Sequence, residues 1–64
     1  MWIISIWDTV TNEWSIVAVL SEATELKSKV AQFLEDKQIK FVRVEKWQSG
    51  ENGMYFEEEK IFYN

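Results

Sequence analysis

Glu57, Glu58 and Glu59, with Glu45 and Glu51 close by in sequence, form the densest group of chemistry-bearing side chains in this chain, and only Arg43, Lys46 and Lys60 relieve them. The sequence contains no histidine and no cysteine to work with them. A general base near neutral pH would therefore have to be a perturbed Glu or Lys. Nucleophilic Cys–His and Ser–His pairs are excluded, and so are the usual zinc sites. A carboxylate-only Mg²⁺ or Ca²⁺ site at Glu57 and Glu59 would lack the Asp-rich loop of an EF-hand. No spacing singles out an acid–base pair, and 64 residues leave little room for a pocket that buries a substrate. The expectation is a protein that is not an enzyme and holds no metal or cofactor.

The acidic group Glu45, Glu57, Glu58 and Glu59 has two other readings. In a strand, three consecutive Glu place Glu57 and Glu59 on one face and Glu58 on the other. Such charges protect an edge strand from aggregation, with Arg43 pairing across to one of them. The sharper alternative is an acidic inhibitor, a phage-type small protein whose carboxylates imitate a phosphate backbone and block a DNA- or RNA-processing enzyme. A net charge of −4 is weak for such mimicry.

The tryptophans are the other signal. Trp7, Trp14, Trp47, Tyr55 and Tyr63 could stack on unpaired bases, which raises single-stranded nucleic-acid binding as a further alternative. Phosphate affinity needs clustered Lys and Arg, and the seven basic residues are scattered among eleven acidic ones. Nucleic acid is therefore not the expected partner.

These residues need elements to position them. Residues 2 to 8 are rich in Ile and Trp and too short for a helix, which predicts a strand. The stretch 8–13 supplies turn formers and predicts a four-residue loop, or a turn centred on Thr11-Asn12. Residues 14 to 20 return as an antiparallel second strand. Ser21 reads as an N-cap, and carboxylates at Glu22 and Glu25 suit the positive end of a helix. Ala23, Leu26, Val30, Phe33, Leu34 and the stem of Lys37 then form an apolar stripe on a helix over 22–38, with Glu25–Lys29 as a supporting pair. Residues 41 to 47 are a half-buried strand, 48–53 is a turn ending in Asn-Gly, and 54–63 is the last strand.

The result is an α+β fold: ββαββ, a four-stranded, mainly antiparallel sheet with one amphipathic helix on one face, in a single small domain over 1–64. This order is shared with several small folds, bacterial immunoglobulin-binding domains among them. The likeness is of topology alone and implies no function.

One helix can cover only one face of such a sheet, yet the N-terminal hairpin is apolar on both. Trp2, Ile4 and Ile6 point one way, Ile3 and Trp7 the other, and Ile16, Ala18 and Leu20 alternate with Val17 and Val19. A six-residue connection sets Trp7 opposite Trp14, with Ile3 and Ile16 extending the same face. A water-facing side should alternate with polar residues, and here only Ser5 and Ser15 do. The leading expectation is thus an interaction module that associates through Ile3, Trp7, Trp14 and Ile16, most simply as a homodimer. The competing expectation is a monomer that folds Trp2, Trp7, Trp14 and Trp47 into one core.

Size sharpens that choice. A chain of about 60 residues buries only ~60% of its unfolded surface, and with no disulfide or metal, aromatics and oligomerisation are the remaining remedies. An aromatic content of 16% excludes disorder. The lack of cysteine fits a reducing compartment. With no basic, apolar leader and no apolar run near ~20 residues, neither export nor membrane insertion is expected, and the location is read as cytoplasmic.

Overall fold

A computed structural model describes residues 1–64, and it is the α+β arrangement expected. Strands β1 (Trp2–Asp8) and β2 (Glu13–Leu20) form the first hairpin, and β3 (Phe41–Gly50) and β4 (Gly53–Tyr63) the second. Between them lie a 3-10 turn, Ala23–Glu25, and helix α1 (Leu26–Leu34). The strands make one sheet in the order β2-β1-β3-β4, with every neighbouring pair antiparallel. No helix is long and apolar enough to cross a membrane.

The first turn is built by Asp8. Its side chain accepts hydrogen bonds from the backbone N–H groups of Val10 (2.8 Å) and Thr11 (3.3 Å), while its carbonyl accepts from Asn12 N–H at 2.8 Å. Asn12 closes the loop at φ +61°, a left-handed angle that Asn tolerates better than other non-glycine residues. The second turn spans Glu51-Asn52, with Gly53 at φ +108°. Only glycine adopts that angle without strain. Gly53→Ala should therefore lower stability by about 1 kcal/mol in denaturant unfolding, although open space surrounds the position.

The helix is shorter than its sequence pattern. Ser21 does not cap it, and Glu22 is extended at φ −128°, ψ 153°. The chain tightens through a 3-10 turn before α1 begins, and α1 itself has nine residues. At the other end, Asp36 accepts from Gln38 N–H with its side chain (2.9 Å) and from Ile39 N–H with its carbonyl (3.0 Å). A short acidic side chain that bonds nearby backbone in this way competes with the helical ladder. Ala23 and Lys37 are exposed, outside the stripe, and Glu25 and Lys29 form no ion pair. Leu26, Val30, Phe33 and Leu34 do pack on the sheet.

The core is small. Ile4, Val30, Val42 and Val44 are its buried hydrophobic residues, flanked by half-buried Trp2, Ile6, Ala18, Leu20 and Phe62. All of these sheet residues lie on the face that α1 covers. The β3–β4 hairpin outruns β1, whose pairing with β3 ends at Trp2 and Lys46, so the molecule measures 40 × 26 × 15 Å.

Candidate functional site

Two bulges decide which side chains share the other, open face of the sheet. Along β1 and β2 the register runs Trp2↔Leu20, Ile3↔Val19, Ile4↔Ala18 and then jumps to Ser5↔Ile16. The extra residue lets Leu20 and Ala18 sit under the helix while Ile16 turns to the open side with Trp14. Simple alternation grouped Ile16 with Ala18 and Leu20; the bulge separates them. Ile3, Trp7, Trp14 and Ile16, the four residues expected to share a surface, therefore do share one.

Trp7 and Trp14 are direct cross-strand partners, their rings edge-to-face with centroids 5.4 Å apart. This is a favoured geometry for aromatic pairs. Both are half-buried. The guanidinium of Arg43, two strands away, lies 4.5 Å above the Trp14 ring, within cation–π range. Ser5 sits on β1 between them, paired with Arg43 on one side and Ile16 on the other, and is fully buried.

The second bulge lies in β4. Lys46 pairs with Glu58 and Trp47 with Phe56, leaving Glu57 as the extra residue. The strict alternation expected of the three Glu therefore fails. Glu57 turns toward the covered side, where Gln48 Nε2 donates to it at 3.0 Å and Lys46 Nζ lies 3.2 Å away. Glu59 falls on the open side with Arg43, 3.9 Å from its Nε. Glu45 is the cross-strand neighbour of Glu59 and lies 3.7 Å from the same guanidinium. Two carboxylates directly opposite repel, and Arg43 between them offsets that repulsion. Glu58 faces Trp2 and Lys46. The four residues expected to form an acidic surface thus lie on two faces of the sheet, three of them with a cation within 4 Å.

Glu57 also has a depressed pKa. The hydrogen bond from Gln48, then that from Lys46, holds its carboxyl below the ordinary glutamate value of 4.5. A group with a lowered folded pKa contributes stability above its unfolded value, and that contribution is lost as pH falls through the folded one. Gln48→Ala should move the Glu57 carboxyl resonance midpoint upward in an NMR pH titration. A midpoint unchanged by that substitution would mean the bond is not the cause.

The open face as a whole has a charged belt, Arg43, Glu45 and Glu59, between two apolar ends. One end carries Trp7, Trp14 and Ile16, with Phe41 and Tyr63 beside them, ring centroids 6.5 Å apart. The other carries Met54, Trp47 and Phe56, the last two edge-to-face at 5.7 Å. Val19, Ile61, Phe41, Met54 and Phe56 are all exposed, and exposure reaches 65% at Ile16 and 74% at Tyr63. No element of the chain lies over this side. The expectation that twist and loops would bring all the tryptophans into one core is not met, since Trp2 lies against the helix-side cluster while Trp7 and Trp14 face away from it.

The aromatic residues weighed for base stacking do not form one platform. Tyr55 pairs with Gln48 on the covered side, whereas Trp47 and Tyr63 are on the open one. No group of three or more carboxylates is placed to hold a metal ion. Sequence reasoning missed Arg43 as the centre of the face and Phe41, Phe56 and Ile61 as its margins. The signal for Phe41 and Arg43 was the period-two alternation of β3, which places them on one side with Glu45 and Trp47, whereas Phe56 and Ile61 lie on β4 on either side of its bulge. Compared with protein-family models, with curated proteins and with solved structures, the chain matches none.

Proposed function

We propose that this chain is a non-enzymatic interaction module that pairs with a second copy of itself through the open face of its sheet. The observation that carries this reading is the uncovered apolar face itself. The accessible surface is 4,778 Å², against roughly 4,300 Å² for a typical folded monomer of 7.7 kDa. A face of 40 × 26 Å offers on the order of 1,000 Å², more than the ~800 Å² per partner of a standard interface.

Its charge pattern suits a copy of itself. An isologous contact needs a patch that is its own complement. A two-fold axis through the belt sets the Arg43 of each copy against the carboxylates of the other, while the aromatic ends meet apolar surface. Association by the free edge of β4 is disfavoured, because Glu57 bulges from it and Glu58 and Glu59 follow. The acidic-inhibitor reading finds less support, since its carboxylates are divided between faces and mostly paired.

Sedimentation equilibrium at micromolar to hundred-micromolar concentration tests the proposal. The expected species has twice the 7.7 kDa mass of one chain and persists when salt is raised, as apolar burial requires. A strictly monomeric chain across that range overturns it.

A further inference from the structure

The covered side of the sheet is not fully covered. Nine residues of helix shelter β1 and β3 but leave a cleft of about 520 Å³ between α1 and β4. That volume lies within the ~300–1,000 Å³ of small-molecule sites. Its walls are apolar: Trp2 from β1, Val44 from β3, Phe62 from β4, and Leu26 and Val30 from the helix.

Three of the chain's seven cations, Lys27, Lys46 and Lys60, line the same cleft. Lys46 Nζ stands 5.7 Å from the Trp2 ring centroid, and Lys60 Nζ stands 5.6 Å from that of Phe62. Each ammonium thus borders an aromatic wall. Glu58 and Glu59 also line the cleft, but Glu59 reaches Arg43 through the belt described above, and Lys46 is engaged by Glu57. Lys27 and Lys60 have no carboxylate within 4 Å. Glu58 has no cation within 4 Å either, so the unpaired charges of the cleft are Lys27 and Lys60 against Glu58, a net positive lining in a chain of net charge −4. Cations and hydrocarbon walls in one cleft complement one ligand chemistry: a small amphipathic anion, with its tail on Trp2, Val44 and Phe62 and its charge on Lys27 and Lys60.

We propose that this cleft binds single-chain aliphatic carboxylates. The site is on the side of the sheet opposite the dimer face and does not depend on dimerisation. The test titrates the full-length ¹⁵N-labelled chain with decanoate, decanol and decyltrimethylammonium, each below its micellar concentration. Saturable amide shifts at Leu26, Val30, Val44 and Phe62 are expected with decanoate, and about ten-fold weaker binding of decanol, the loss typical of a charge-assisted bond. Lys27→Gln with Lys60→Gln should bring decanoate down to the decanol level while the remaining amide spectrum stays in place. Equal binding of decanoate and decanol, tighter binding of the ammonium probe, no saturation, or shifts confined to Ile3, Trp14 and Ile61 would each overturn the assignment.

Discussion

Replacing Trp7 and Trp14 together by Ser abolishes self-association and leaves the secondary structure standing. The two indoles are at the turn end of the first hairpin, on the open face, with neither among the residues packed against the helix-side cluster. Within one chain their rings meet edge-to-face, and the Arg43 guanidinium lies over Trp14. Cross-strand pairs of this kind contribute up to ~1 kcal/mol to the sheet. Buried against a partner, rigid aromatics are the residues that most often dominate binding, each worth ~2 kcal/mol or more. The double substitution should then weaken association by several kcal/mol, enough to move a micromolar dimer out of reach at any practical concentration. Circular dichroism and sedimentation on the same samples separate the two effects. If the double variant unfolds outright, the pair belongs to the monomer's core and the dimer reading fails.

The order of elements and the Trp7–Trp14 pairing were legible because they rest on local signals. Turn formers bounded the strands, and the length of the first connection set its register. The helix limits were not legible. The pattern over 22–38 satisfied the helical period, but Asp36 turned its own side chain onto Gln38 N–H and the chain had to descend to the sheet at Ile39. Alternation also failed at the bulges. Nothing in Val17 or Glu57 marks either as the extra residue, because a bulge is settled by what the neighbouring strand and the face beneath demand. Ala18 and Leu20 pack against the helix-side cluster, while Trp14 and Ile16 lie outside it. The face was read correctly at Ile3, Trp7, Trp14 and Ile16, but Arg43 at its centre required knowing that β3, not β4, is the neighbour of β1.

Ile4 and Ser5 are consecutive on β1 and both are 0% exposed, yet their replacement by Ala should move stability in opposite directions. Ile4 points under the helix into Val30, Val42 and Val44. Truncation there removes transfer energy and leaves a cavity, costing about 2–5 kcal/mol. A domain of this length has roughly 3–10 kcal/mol in all, so Ile4→Ala should remove about half of it and lower the urea midpoint accordingly. Ile4→Val, which deletes a single methylene, should cost only about 1 kcal/mol. Ser5 points the other way, beneath the open face, and its Oγ has no hydrogen-bond partner. A buried hydroxyl left unsatisfied costs on the order of 1–3 kcal/mol, and Ala removes it at almost unchanged volume. Ser5→Ala should therefore raise the urea midpoint with no change in slope. Were Ser5→Ala to destabilise as Ile4→Ala does, the hydroxyl must have a partner, and the open face at its centre would be more tightly built than the strand register indicates.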